Sequence, residues 1–193
     1  MVLPIVAYGT PVLRQKAEEI DLSDPEWQSF IDDMFETMYN ASGVGLAAPQ
    51  VDEAVRIFVI DPAPFAEWDN VPETEKEALR QAKMAFINPV KISEEGEPWS
   101  FDEGCLSIPG IIEKVKRPSR ITLEYYDRHG RKHRQTFDGL IARVIQHEYD
   151  HLEGILFTDH LSAIKKKMLA KKLDKIARGQ VQTDYPMKFP KRK

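Results

Sequence analysis

Apolar side chains recur at helical spacing in the segment that follows "DLSDPEW". Ser23 or Asp24 can cap this helix, and Pro25 suits its first position. The apolar residues between Trp27 and Tyr39 form one stripe, which is typical of a helix packed against a core. The pattern predicts an N-terminal helix that ends before the small-residue loop "NASGVGLAAPQ".

Four short runs of β-branched and aromatic residues predict strands. They are "RIFVID", "AFINPVKI", "ITLEYYD" and "KHRQTF". The tetrapeptide "DRHG" between the last two is typical of a hairpin turn. The charged segment 62–83, which contains proline, separates the first two runs and is expected to form a surface insertion that is partly helical.

The segment "FDGLIARVIQHEYDHLEG" also has helical periodicity. Asp138 can cap this helix, and Gly154 is expected to end it. Apolar residues on several faces predict that it runs through the core. A last helix is expected from about Leu161 to Gly179. These elements favour an α+β fold in which short, mostly antiparallel strands pack around the central helix, with N-terminal and C-terminal helices.

The length and composition are those of one globular domain. The chain has 193 residues, of which 42% are hydrophobic and 30% charged. No apolar run approaches the roughly 18 residues typical of a membrane span. We expect a single domain over residues 1–179 and a flexible basic tail over residues 180–193. The N-terminus lacks the pattern of a signal peptide, so the protein is expected in the cytoplasm, without membrane contact. We also expect it to be a monomer.

Charge is distributed unevenly along the chain. Residues 161–193 contain eleven Lys or Arg and two Asp, a net charge of +9, whereas the whole chain carries −4. The rest of the chain therefore carries −13. A solvated helix face explains such a basic run from charge alone, and binding to a polyanionic partner is the alternative.

The pattern His-Glu-x-x-His in "QHEYDHLEG" is a candidate metal site. His147 and His151 are about one helical turn apart, so their imidazoles lie on one face and can bind one ion. Glu148 can then accept a proton from a metal-bound water. The alternative is an ordinary pair of hydrogen-bonded histidines. A catalytic site needs a third protein ligand to distinguish the two.

The third ligand also distinguishes between enzyme classes. One type of zinc protease has a histidine six residues after the second, where this chain has Phe157, and no glutamate follows Glu153. Asp159 and His160 remain conceivable ligands. The only cysteine, Cys105, lies upstream in "DEGCLSIPG". A lone cysteine is commonly a small buried residue, but its thiolate could complete a site of two nitrogens and one sulfur.

Three stretches together resemble the peptide deformylase family. They are "GVGLAAPQ" at 43–50, "EGCLS" at 103–107 and "HEYDH" at 147–151, and the opening "IVAYGTPVLRQKA" is also similar to the family's N-terminus. The resemblance implies a hydrolase that removes the formyl group from the N-terminal formylmethionine of new polypeptides and releases formate. Residues 1–179 would then form its catalytic domain.

The resemblance also implies the metal ligands. Cys105, His147 and His151 would bind Fe²⁺, for which Zn²⁺, Ni²⁺ or Co²⁺ can substitute, and water would take the fourth position. A closed structural zinc site in a nucleic-acid-binding module is the non-enzymatic alternative, and a zinc peptidase is the enzymatic one. In related deformylases a C-terminal helix contacts the ribosome, so the basic helix here is a possible ribosome contact.

The remaining roles follow from the same resemblance. Glu148 would transfer protons, while the Gln50 side-chain amide and the Leu106 backbone N–H would stabilise the oxyanion. Arg143 stands where some family members have an apolar residue, so it would alter the rim of the substrate pocket, and a solvent-facing arginine is the alternative. The residues expected to bind the nascent polypeptide substrate are Gly43, Val44, Gly45, Gly104, Leu140 and Val144.

Overall fold

A five-stranded antiparallel sheet with helices on both faces organises the fold. The computed structural model describes residues 1–192. Within these residues the helices are α1 (Glu26–Asn40), α2 (Glu73–Arg80), α3 (Gly139–Leu152) and α4 (Ala163–Ala177). The strands are β1 (Ile5–Val6), β2 (Gly45–Ala47), β3 (Ile57–Ile60), β4 (Met84–Glu95), β5 (Trp99–Cys105), β6 (Ile108–Arg117), β7 (Arg120–Tyr126), β8 (Lys132–Asp138) and β9 (Met187–Lys188).

The strands form three sheets, of which two are antiparallel. The main sheet has the order β2-β3-β4-β7-β8, and β5 and β6 form a separate hairpin. The short strands β1 and β9 pair in parallel. The predicted α+β fold with mostly antiparallel strands is confirmed. None of the helices within residues 1–192 has the length and apolarity needed to cross a membrane.

Strand β3 shows how the main sheet lies between two helices. Successive side chains of a strand point to opposite faces. Phe58 and Ile60 accordingly lie in the apolar cluster that includes α3, whereas Ile57 and Val59 lie in the cluster that includes α1. All four side chains are buried. Because both faces are covered, β3 is apolar throughout and does not alternate between apolar and polar residues.

The central helix α3 runs through the core as predicted. Eleven of its fourteen residues are buried. Asp138 occupies the N-cap position, but its side chain makes no capping hydrogen bond. In α1, by contrast, the Asp24 carboxylate accepts a hydrogen bond of 2.9 Å from the Glu26 N–H. Because α3 is buried along most of its length, its polar residues are held in fixed positions inside the protein.

The hairpin of β5 and β6 was not predicted from the sequence. Strand β5 contains Asp102, Glu103 and Gly104, which are residue types depleted in strands. Its pairing with β6 is long-range information that local propensity does not carry. The turn of this hairpin brings Cys105 and Leu106 beside α3.

Segment 62–83 is partly helical, as predicted, but it is not wholly a surface insertion. Phe65, Val71 and Leu79 are buried and belong to the same apolar cluster as α3. Helix α2 buries only Leu79, and its other side chains are exposed or half-buried. The segment therefore contributes to the core although its composition is polar.

The C-terminal residues also differ from the predicted flexible tail. Strand β9 pairs with β1 through hydrogen bonds from the Ile5 and Ala7 N–H groups to the Pro186 and Lys188 carbonyls, at 3.0 and 2.9 Å. The side chains that alternate along this segment, at Tyr185, Met187 and Phe189, pack on the apolar clusters. This alternation runs only from Tyr185 to Phe189, in a basic stretch that contains proline, and is too short to predict a strand. The last predicted tail residue, Lys193, lies outside the described residues.

Candidate metal centre

Three predicted ligands come together where the β5–β6 turn meets α3. One ligand atom from each of Cys105, His147 and His151 lies within 4.8 Å of the other two. The Cys105 Sγ atom is 3.4 Å from the His151 Nε2 atom. The two histidines converge because they are one helical turn apart, and the turn of the β-hairpin supplies the thiol.

The three residues fit a divalent metal ion. Tetrahedral coordination with metal–ligand distances of about 2.0–2.3 Å places ligand atoms roughly 3.3–3.8 Å apart, close to the observed sulfur–nitrogen distance. Burial, with the neighbouring His147, lowers the pKa of His151 to about 3. His151 is therefore neutral at neutral pH, the form in which imidazole binds a metal.

Glu103 holds the first histidine in a fixed orientation. Its Oε1 atom is 2.9 Å from the His147 Nδ1 atom, which leaves Nε2 free for a metal ion. Arg117 donates to both carboxylate oxygens, at 2.7 and 2.9 Å. Burial raises the pKa of Glu103, but the hydrogen bonds from His147 and Arg117 outweigh it and hold that pKa well below its usual range. Sequence reasoning assigned Glu103 no role, although it lies within "EGCLS".

Arg143 is buried beside the same carboxylate and does not face solvent. Only 1% of its surface is exposed. Its Nη1 atom donates to Glu103 Oε2 and to the Val115 carbonyl, both at 2.9 Å, and Nη2 donates to the Trp99 carbonyl at 2.6 Å. The guanidinium also stacks 4.6 Å from the centre of the Trp99 ring. The solvent-facing interpretation is wrong because the β5–β6 hairpin covers this face of α3.

Glu148 lies beside the ligand cluster with a free carboxylate oxygen. Its side chain is buried, and Oε2 has no hydrogen-bond partner within residues 1–192. Its Oε1 atom is 4.0 Å from the His147 Nε2 atom. Burial raises the pKa of Glu148 to about 7. A group with such a pKa can accept and return a proton near neutral pH.

Gly45 is in contact with this carboxylate. A Cβ atom added to Gly45 would lie 2.6 Å from Glu148 Oε1 and 2.9 Å from its Cδ atom. Only a glycine lets β2 approach the carboxylate this closely. Gly43 plays a similar part toward Leu106, whose Cδ1 atom would be 2.8 Å from an added Cβ.

Gln50 is held with its amide nitrogen toward the cluster. The side chain is 1% exposed, so it is not a solvated loop residue. Its Oε1 atom accepts a hydrogen bond of 3.0 Å from the Ala47 N–H. Its Nε2 atom donates to Ser107 Oγ at 3.2 Å and lies 3.4 Å from Cys105 Sγ. The Ala47 contact orients the amide, which leaves the NH₂ group as the donor at the site.

A cavity of about 590 Å³ opens onto these groups. Of the predicted substrate-binding residues, Leu140 lies in the apolar core and is not among the residues that line this cavity. Phe65, Trp68 and Phe101 form an aromatic wall that the sequence did not predict. The predicted residues that do line it are Gly43, Val44, Gly45, Gln50, Gly104, Cys105, Leu106, Val144, His147 and Glu148.

The α+β fold thus places three possible metal ligands beside a buried carboxylate, an arrangement typical of hydrolases that use a metal ion. The family model described as polypeptide deformylase matches residues 2–167. A peptide deformylase from Christiangramia forsetii is 54% identical over 193 residues, covering 100% of this chain and 98% of the relative. One from Flavobacterium psychrophilum is 51% identical over 193 residues, covering 100% of both.

Solved structures agree with these sequence matches. The crystal structure of a peptide deformylase from Legionella pneumophila superposes with a TM-score of 0.78 and 38% identity, over 93% of this chain and 98% of that chain. This chain belongs to the peptide deformylase family, whose enzymes act in N-terminal deformylation.

Proposed function

We propose that the cavity binds the N-terminal formylmethionine of new polypeptides and that the enzyme hydrolyses the formyl amide, releasing formate. The observation that carries this proposal is the buried Glu148 carboxylate beside the three-residue cluster, whose Oε2 atom has no hydrogen-bond partner within residues 1–192. The cavity that opens onto them is mainly lined by apolar and small residues, as an apolar methionine side chain requires.

Cys105, His147 and His151 would hold the metal ion. When bound, the ion supplies Lewis-acid chemistry that lowers the pKa of water from 15.7 to about 7. Imidazole and thiolate ligands suit Fe²⁺, Zn²⁺, Ni²⁺ and Co²⁺. We infer Fe²⁺ in the cell, as the family resemblance implies. Metal analysis of anaerobically purified protein, compared with its activity, tests this assignment.

Glu148 moves the proton during hydrolysis. Its carboxylate accepts a proton from the attacking water and delivers it to the nitrogen of the departing amine, so the carboxylate is regenerated. The free Oε2 atom and the pKa of about 7 suit both steps. The Gln50 amide and the Leu106 N–H donate to the oxyanion that develops on the formyl oxygen.

The two alternative functions make different predictions. A closed structural zinc site is usually filled by four protein ligands, whereas the cluster found within residues 1–192 contains three. A zinc peptidase would cleave internal peptide bonds. The deformylase assignment predicts stoichiometric formate and free amine from a formyl-Met tripeptide, and no cleavage of the same tripeptide without its formyl group. Internal cleavage of either peptide, or no formate from the metal-loaded protein, would overturn it.

We further propose that α4 contacts ribosomal RNA near the exit of the nascent chain. One face of α4 packs on the core, and its basic side chains are exposed. Exposed lysines bind phosphates through long-range electrostatics. Each lost contact reduces the slope of log affinity against log salt concentration by roughly one. The basic residues of this surface are Lys165, Lys166, Lys167, Lys171, Lys172, Lys175 and Arg178.

Cosedimentation with ribosomes tests this contact. Replacing five of these lysines by glutamine should weaken binding and flatten its salt dependence, whereas five replacements outside α4 should change both much less. Activity on free peptides should be retained in both variants. Equal binding of the two variants would indicate that the basic face of α4 serves only for solvation.

A further inference from the structure

The C-terminal segment 182–185 forms part of the cavity wall. Gln182, Thr183, Asp184 and Tyr185 line the same cavity as Glu148. The family model matches residues 2–167, so this wall comes from a part of the chain that the model does not match. The segment returns to the site from the end of α4.

Tyr185 reaches the turn that carries the thiol. Its hydroxyl donates a hydrogen bond of 2.7 Å to the Leu106 carbonyl. Leu106 follows Cys105, and its own N–H is the donor proposed for the oxyanion. The Leu106 N–H belongs to the preceding peptide group, which is joined to the carbonyl only through the φ and ψ rotations of Leu106. A hydrogen bond that holds the carbonyl therefore restricts the direction in which this N–H points.

Backbone pairing holds Tyr185 in this position. The Ile5 N–H donates to the Pro186 carbonyl at 3.0 Å, which anchors the residue that follows Tyr185. From the same N-terminal segment, the Tyr8 N–H donates to the Ser107 carbonyl at 2.8 Å. One short stretch of backbone thus fixes both the tail and the turn, so the phenol and its acceptor are held by a common support.

The side chain of Thr183 adds a local constraint. Its hydroxyl donates a hydrogen bond of 2.7 Å to the Tyr185 carbonyl and closes the loop that enters β9. Tyr185 is half-buried and packs against the apolar cluster that includes α1. These contacts place the phenol by packing as well as by hydrogen bonding.

We propose that Tyr185 is a positioning residue for deformylation, which holds the Leu106 carbonyl and so limits the backbone rotation that sets the direction of the Leu106 N–H, and that segment 182–185 is a wall of the substrate cleft. This inference rests on the proposed function. Tyr185 does not touch the reacting atoms in this role. It sets the direction of a donor that acts on the oxyanion, so its loss affects the transition state more than substrate binding.

The test compares Tyr185→Phe with Tyr126→Phe. The first substitution removes the hydroxyl and keeps the ring. Tyr126 packs against the same apolar cluster but does not line the cavity, so it is the matched control. With a formyl-Met tripeptide, Tyr185→Phe should lower kcat per bound metal ion by ~3- to 10-fold, the effect of one hydrogen bond, and should leave KM nearly unchanged. Tyr126→Phe should leave both unchanged.

A second measurement does not depend on activity. Hydrogen–deuterium exchange of the peptide covering residues 103–109 should be faster in Tyr185→Phe than in the parent and in Tyr126→Phe. An unchanged kcat, a loss confined to KM, an equal loss in the control or unchanged exchange would each overturn the positioning role. If the parent protein itself released no formate, the proposed function would fail, while the exchange experiment would still test the Tyr185 contact.

Discussion

The contact between Gly45 and Glu148 predicts a large effect from one added methyl group. In Gly45→Ala the new Cβ atom would lie 2.6 Å from Glu148 Oε1, where ordinary contact begins at 3.4 Å. Strand β2 cannot retreat easily because Gly45 pairs with Ile60 in the main sheet. The carboxylate must therefore move by about 0.8 Å.

This displacement has a calculable consequence for the rate. A misplacement of about 1 Å can lower the rate of an enzyme 10²-fold. We therefore expect kcat to fall by roughly 10- to 100-fold, which raises the activation free energy by about 1.4–2.7 kcal/mol. Overpacking of a buried site costs about 1–3 kcal/mol of stability, which lowers Tm by several degrees and leaves the protein folded at 25 °C. Metal content should stay unchanged because no ligand is touched.

Gly43→Ala is the control for this substitution. Its added Cβ meets the end of the Leu106 side chain at 2.8 Å, and that end can rotate away. A rotamer adjustment costs about 1 kcal/mol, so kcat should fall by no more than ~5-fold. The assay is formate release from a formyl-Met tripeptide at saturating substrate, expressed per metal ion.

Coupling to Glu148 provides the decisive comparison. Glu148→Asp shortens the side chain by one methylene and removes atoms that the new Cβ would meet. The loss of kcat caused by Gly45→Ala should therefore be smaller in the Glu148→Asp variant than in the parent protein. The steric argument is refuted if Gly45→Ala keeps more than a third of the parent kcat, or if its cost is the same on both backgrounds.

Four further predictions concern the metal and its surroundings. Glu148→Gln should retain the metal but lower kcat by about 10²- to 10⁴-fold, and a value within a few-fold of the parent would exclude its proton-transfer role. Elemental analysis of Cys105→Ala should show loss of the metal. Peroxide should inactivate the iron form faster than the nickel form, and equal rates would show that iron oxidation is not the cause of inactivation. Glu103→Gln should weaken metal binding by about 10- to 100-fold in a chelator competition, because it weakens the bond that orients His147, and undiminished affinity would contradict that role.

Local sequence patterns determined the parts of this protein that depend on near neighbours. The spacing of His147 and His151 predicted one helix face because residues four apart always lie about a turn from each other. Strand β3 was predicted because its sequence is a short run of β-branched and aromatic residues. The identity of the third ligand was open from spacing alone, and it required the resemblance of three separate motifs.

Only the tertiary structure decided which distant groups meet. The Glu103 carboxylate and His147 are 44 residues apart, and Tyr185 and Leu106 are 79 residues apart. No periodicity links such positions, since strand pairing and the return of the chain bring them together. For the same reason, Arg143 was expected in solvent by its charge, whereas the hairpin and Glu103 give it partners inside the protein. Burial of a charged group depends on partners from other elements, and these exist only once the chain has folded.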